Sequence, residues 1–237
     1  MALPKLTTPT YELVVPSTDE KIKFRPFLVR EEKILLIAME SENSEDIINA
    51  VKNIVAECTF NKIQLGKMPM FDIEYIFLNI RSKSVGEITT LRLLCPDDKE
   101  TYADVELNLS EVQVHVEKEH TNKIELTDEM GIYMKYPTID SFADTGITDI
   151  TAENMLDVIS SCVSQVYDKK GEEVFDAKDQ TKEELIEFIE HLNSKQFQDV
   201  QKFFDTMPKL KHVVTVENPK TKVKSDILLQ GLNDFFV

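Results

Sequence analysis

Thiols, imidazoles and paired carboxylates are the groups from which this chain would have to build a reactive centre. Its three cysteines, Cys58, Cys95 and Cys162, lie far apart, and its four histidines are His115, His120, His191 and His212. Cys95 stands in Leu-Cys-Pro-Asp-Asp. Half of a zinc knuckle would place a second cysteine two or three residues on, where Asp97 and Asp98 stand instead. His115 and His120 follow downstream, so a Cys-His-His set with a carboxylate can be written down. Structural zinc, however, takes paired ligands from tight turns, and this spacing supplies no pair. Asp168 to Asp176 holds acids and a glycine without the Asp-x-Asp-x-Asp-Gly order of a calcium loop. Six glycines furnish no phosphate-cradling loop, and no Gly-x-Ser-x-Gly elbow occurs. Cys162 falls on the apolar face of a predicted helix, beside Ser160 and Ser161, with no general base. His115 and His120 fall on the polar side of a strand and its exit, His191 in a helix and His212 at the start of a strand. None is paired in sequence with a nucleophile. The expectation is a non-enzymatic protein with no catalytic, cofactor-binding or metal-binding residues.

The elements that would position any site are legible from periodicity. Prolines at positions 4 and 9 predict an extended arm over residues 1–10. Tyr11–Val15 and Lys21–Arg25 read as strands of a hairpin around Pro16–Glu20. Val29–Met39 is rich in helix formers with acids early. Ser44 stands where an N-cap belongs, before the series Ile47, Ile48, Val51, Ile54, Val55. A third helix over Met70–Ser84 is apolar around so much of its circumference that it belongs in the core. The period then becomes two: Ile88–Leu94, Tyr102–Leu109 and Glu111–Val116 alternate as strands, and Ile124–Met134 adds one or two more. Near residue 137 the character changes, and Pro137–Gly146 reads as a connection. Thr151 is the expected cap of a helix carrying Met155, Leu156, Val158, Ile159, Cys162, Val163 and Val166. Tyr167–Phe175 reads as a small hairpin turning at Lys170-Gly171. Thr181-Lys-Glu-Glu184 fits a capping box, Ser194 opens another helix and Pro208 closes it. Lys211–Glu217 and Lys222–Leu229 flank a turn at Asn218–Thr221. The predicted class is α+β: antiparallel β hairpins packed with helices, followed by a mainly helical C-terminal region ending in a β-hairpin. The expected division is an arm at 1–10, an α+β domain at 11–136 and a mainly helical region with its hairpin at 137–237.

Composition narrows the partners. With 27 basic against 43 acidic residues the formal net charge is -16. Such a surface repels phosphate backbones and anionic bilayers, which argues against nucleic-acid and membrane binding. The odd, sparse cysteines point to a reducing compartment. The first ten residues lack the apolar stretch of a signal peptide, and the longest apolar run, Ile34–Met39, is too short to span a bilayer. The expectation is a protein that is cytosolic where it is made. The apolar chain end, Phe235, Phe236 and Val237, docks either into its own fold or into a partner, and is the candidate partner-binding segment.

Lys21-Ile-Lys-Phe-Arg-Pro-Phe-Leu-Val-Arg-Glu-Glu-Lys-Ile-Leu-Leu35 resembles the opening of the baseplate hub subunit and hub assembly proteins of T-even-type, contractile-tailed bacteriophages. Phe197–Leu210 and the closing Gly231-Leu-Asn-Asp-Phe-Phe236 are similar to that family as well, so the likeness runs from about residue 11 to the end. The resemblance implies a role without catalysis in building the tail's central hub, through contacts with other tail and baseplate hub proteins. It implies a place in the host cytoplasm during assembly and, for a subunit that stays, in the virion tail baseplate. Two alternatives stay open: a resident subunit, or an assembly chaperone or adaptor that binds the tape-measure or a hub protein and leaves.

Overall fold

The computed structural model describes residues 7–41, 43–139, 141, 154–231 and 233–235. Among these are six α-helices and eleven strands, and every strand pairing is antiparallel, so the fold is α+β. Residues 1–6 of the expected arm, the expected cap Thr151 and most of the 137–146 connection lie outside the described residues. Contacts group the chain into two compact units. One gathers 1–65, 71–115 and 209–237, and the other 66–70 and 116–208. This grouping differs from a single cut near residue 137 because the last hairpin pairs with a strand that precedes residue 116.

In the first unit, β1 (Tyr11–Val14) and β2 (Lys21–Phe24) form the opening hairpin. Its turn is tied down by Ser17, whose backbone N–H (3.1 Å) and hydroxyl both donate to the carboxylate of Asp72. Asp72 lies in the first turn of α3 (Met70–Val85). Helices α1 (Val29–Glu40) and α2 (Ser44–Cys58) come between. The cap of α2 is Asn43, not Ser44. Asn43 has the extended backbone a cap requires, and its carboxamide oxygen accepts the Glu45 N–H at 2.9 Å, leaving Ser44 as the first helical residue. As expected from its all-round apolarity, α3 buries Phe71, Ile73, Ile76, Phe77, Leu78 and Ile80. Each such side chain contributes about 1.5–3 kcal/mol by leaving water. Strands β3 (Ile88–Leu94) and β4 (Tyr102–Asn108) make a hairpin. A second sheet has β5 (Gln113–His115), β10 (Lys209–Glu217) and β11 (Lys224–Gln230) in the order β11-β10-β5. Leu78, Leu91, Leu107, Leu109, Leu210, Val214 and Leu229 share one core cluster.

The second unit is a four-stranded sheet, β6 (Lys123–Glu125), β7 (Met130–Met134), β8 (Val163–Asp168) and β9 (Glu173–Asp176), in chain order. Helices α4 (Met155–Cys162), α5 (Lys182–Glu190) and α6 (Ser194–Thr206) pack on it through Ile132, Met134, Ile159, Cys162, Leu185, Ile189, Val200 and Phe203. The Thr181 capping box forms as predicted, with the Glu184 carboxylate accepting the Thr181 N–H. One expectation fails. The helix predicted to run through Val163 and Val166 stops at Cys162, and Val163–Asp168 is instead a strand between β7 and β9. Both residues are β-branched, and pairing on two edges outweighs their helical spacing. Next to it, Gly131 leaves room for Tyr167: a Cβ there would stand 2.3 Å from the phenol oxygen and 2.5 Å from the Ile124 carbonyl.

Candidate functional site

Most of the described side chains with reactive chemistry are buried or hydrogen-bonded within the fold. All three thiols are buried. Burial pushes Cys58 and Cys162 up to about 11 and raises Cys95 as well, so each is a neutral thiol at neutral pH. In the Cys95 turn, Asp98 accepts the hydroxyl of Thr101 at 2.6 Å and two backbone N–H groups, and is held far below the usual carboxylate range. Asp97 reaches to the β10–β11 turn, where the buried Asn218 amide donates to both of its oxygens at 2.9 and 3.1 Å and Thr221 adds its hydroxyl. These two carboxylates lock one hairpin turn to another. Among the described residues no group of three or more His, Cys, Asp or Glu side chains is placed to hold a metal ion.

His120, in the second unit, is fixed at both ring nitrogens. Nδ1 lies 3.0 Å from the Thr206 hydroxyl and Nε2 lies 3.0 Å from the Tyr136 hydroxyl. Thr206 spends its one proton on the Lys202 carbonyl at 2.7 Å, so it accepts from Nδ1–H and leaves Nε2 to accept from Tyr136. Burial pushes the imidazole below its ordinary pKa, consistent with this neutral tautomer. His191 contacts the Glu187 carbonyl on its own helix at 2.7 Å, and His115 and His212 lie in β5 and β10. A cavity of about 340 Å³ in the same unit is lined by Lys135, Asp157, Ser160, Ser161, Lys178 and Lys182, among others. Its charges are largely matched: Lys182 pairs with Asp157 at 2.7 Å and Lys178 with Asp176 at 3.0 Å.

At the chain end, Phe235 is fully buried in the core cluster of the first unit, with Leu210 and Leu229. Of the two destinations open to an apolar terminus, this residue takes its own fold. Phe236 and Val237 lie outside the described residues.

The surface that stands out was not singled out as a site from sequence. It is the outer side of α1. The Arg-Pro-Phe step and the Glu-Glu that follows build a buried knot at the start of this helix. Arg25 donates to Glu31 Oε1 at 3.0 Å and to the Pro26 carbonyl at 3.0 Å, with its guanidinium 3.7 Å from Cys58 Sγ. Glu31 Oε1 also accepts from Arg30 at 2.6 Å, and Oε2 accepts the Leu28 N–H at 2.6 Å. Burial pushes the Glu31 carboxyl up, but the hydrogen bonds from Arg25, Arg30 and Leu28 outweigh it and hold the group below the usual carboxylate range. Backbone bonds extend the knot, from Arg25 N–H to the Cys58 carbonyl at 2.9 Å and from Phe27 N–H to Ser84 Oγ at 2.9 Å.

Held this way, α1 buries only Glu31, Leu35 and Ala38, the i, i+4, i+7 stripe that faces the unit. Val29, Leu36 and Ile37 (i, i+7, i+8) fall on the opposite side, 80%, 54% and 56% exposed, with Ile34 on one flank at 45%. Lys33 and Glu40 are exposed between them on the same side, and Arg30 and Glu32 are exposed on its flanks. The sequence signal was present in the run Ile34–Met39, whose six consecutive apolar residues cannot all face one core. No helix of the described residues is long and apolar enough to cross a membrane.

Comparison with known proteins gives one family. A family model described as T4 bacteriophage base plate protein matches residues 8–237, nearly the whole chain. No curated protein and no solved structure matches.

Proposed function

The chain belongs to the T4 bacteriophage base plate protein family and is a phage baseplate protein; from that premise we propose that it acts in assembling the baseplate hub, without catalysis, through contacts with other tail proteins. The observation that carries the contact reading is the set of exposed apolar side chains Val29, Ile34, Leu36 and Ile37 on α1, a helix that is clamped at its start. The hub assignment is supported by the likeness of Lys21–Leu35 and of the C-terminal segments to hub proteins. Lys21–Leu35 is the stretch that builds the Arg25–Glu31 knot and the first half of α1, and it includes the exposed Val29 and Ile34. The net charge of -16 favours a basic or apolar protein partner over nucleic acid or an anionic bilayer.

Affinity purification of the tagged chain from infected cells is the test. Hub and neighbouring baseplate proteins should co-purify, and recovery of nucleic acid or small metabolites alone would refute the reading. Mass spectrometry of purified virions then separates a resident subunit, present in particles, from a chaperone that binds the tape-measure or a hub protein and departs.

A further inference from the structure

We propose that His120 is a proton-sensitive clasp that joins the two ends of the 116–208 span, closed while its ring is neutral and loosened when the ring is protonated. The clasp lies in the second unit and does not depend on which protein the chain meets. Placement is the first support. The span leaves the first unit after β5 and returns to it at β10. His120 lies on the stretch that follows β5, and Thr206 is the last residue of α6, just before β10. The 3.0 Å contact between them ties the entry of the span to its exit, and the 3.0 Å contact with Tyr136 adds the stretch after β7. A Glu119–Lys202 ion pair at 3.8 Å makes the same connection, but both side chains are exposed, and such a pair holds little. The second support is the direction of the protons. Tyr136 O–H points at Nε2, Nδ1–H at Thr206, and Thr206 O–H at the Lys202 carbonyl, so one chain of donors runs through the neutral ring. A proton added at Nε2 meets the Tyr136 hydrogen head-on, and the phenol must turn it away. The third is the charge around the ring. Glu117, Lys118 and Glu119 lie on its own stretch, Lys202 and Asp205 on α6, and Lys135 beside Tyr136; all but Glu117 are exposed. Three acids and three lysines leave no net field, and neither ring nitrogen meets a carboxylate that would favour the cation. The ring faces of Tyr136 and Phe203, with centroids 5.6 and 5.2 Å from the imidazole, do favour it. Burial and the Tyr136 hydrogen oppose it, and the direction of the ring's pKa, below 6.5, is theirs. With its folded pKa depressed, the ring contributes stability that is fully present above the ordinary histidine value and is lost as pH falls below it.

Nitrogen NMR of the full chain, labelled at histidine, reads the ring directly. His120 should carry its proton on Nδ1 at about pH 7.5 and titrate with a midpoint below the ordinary 6.5. Tyr136→Phe removes the donor at Nε2 and should move that midpoint up by about half a unit or more. Amide exchange read by mass spectrometry, corrected for the chemical rate at each pH, should rise at least about threefold in 116–122 and 203–207 between roughly pH 7.5 and pH 5.5. The β3–β4 hairpin, in the other unit, should show no such rise. His120→Asn keeps an N–H donor near Thr206 and cannot take a proton, so it should flatten the rise. A midpoint at or above 6.5, a proton on Nε2 in the neutral ring, or exchange in 116–122 that ignores pH would overturn the proposal. If His120→Asn does not fold, the midpoints of the parent and of Tyr136→Phe decide alone. A midpoint that Tyr136→Phe leaves in place would break the link between phenol and ring, and the clasp with it.

Discussion

Helices α1 and α3 belong to the same unit, and both are rich in Ile, Leu and Phe or Val on more than one side. They end in opposite circumstances. Phe77, Leu78, Ile76 and Ile80 of α3 are fully buried, while Leu36 and Ile37 of α1 are more than half exposed. Each also carries a buried carboxylate near its start, and these differ too. Glu31 is met by two arginines and a backbone N–H, Asp72 by the N–H and hydroxyl of Ser17. The first carboxyl is held below its ordinary range; in the second burial prevails over the Ser17 hydrogen bonds and raises it. The lesson is that a run of apolar residues in a helix does not by itself say how many of them the fold will bury.

The largest effect that would sharpen this contrast comes from α3. Phe77→Ala should lower unfolding free energy by roughly 3–5 kcal/mol, since it opens a cavity at a fully buried site. Next comes the clamp on α1: Arg25→Met leaves the buried Glu31 with only the exposed Arg30 and the Leu28 N–H and should cost about 3 kcal/mol. Denaturant titration measures both, and a loss below about 1 kcal/mol for either would break the comparison on that side.

The two carboxylates should then give opposite pH slopes. Glu31, with its folded pKa depressed, contributes stability above the ordinary glutamate range and loses it as pH falls through the folded value. The advantage of the parent chain over Glu31→Gln should therefore grow between pH 3 and pH 7. Asp72, with its folded pKa raised, contributes most below the ordinary aspartate range and loses that as pH rises through the folded value. The advantage over Asp72→Asn should shrink across the same interval. Parallel slopes would show that the two sites are not electrostatically opposed.

The smallest expected effect is on the outer side of α1. Leu36→Ala in the isolated chain should change stability by less than about 0.5 kcal/mol, because that side chain touches solvent and alanine is a good helix former. A loss of 2 kcal/mol would mean that the chain itself covers this face.

Local chemistry made most of the elements readable in advance. Thr181 and Glu184 announce the start of α5 because a capping box needs those two residues at that spacing, and α3 announces its burial through unbroken apolarity. Other features depend on what lies far away in sequence. Val163 and Val166 continue the helical spacing of α4, and only the neighbours β7 and β9 decide that Val163–Asp168 is a strand. Asn43 and Ser44 are both good caps, and backbone geometry chose between them. The hydrogen bonds that join Asp97 to Asn218 link turns more than a hundred residues apart, so two readable turns did not reveal their union. As for the candidate site, the Arg-Pro-Phe and Glu-Glu residues were noticed for their likeness to a family, but their role as a buried ionic knot required the fold. The outer face of α1 was hidden for the reason that separates it from α3: a sequence lists apolar residues without listing their neighbours.

The pairing of His115 with Lys209 has a consequence in time. Residues 116–208 leave the first unit and return to it at a single rung between two antiparallel strands. On the ribosome, β5 therefore emerges long before the strand it needs, and the whole intervening unit is born in the interval. A chain truncated before residue 209 would hold α1, its clamp and a complete set of second-unit strands. It would still lack the hairpin that closes over Leu109 and Val112. Synthesis thus delivers α1 and the residues of its clamp early, and the hairpin that closes their unit only after residue 208.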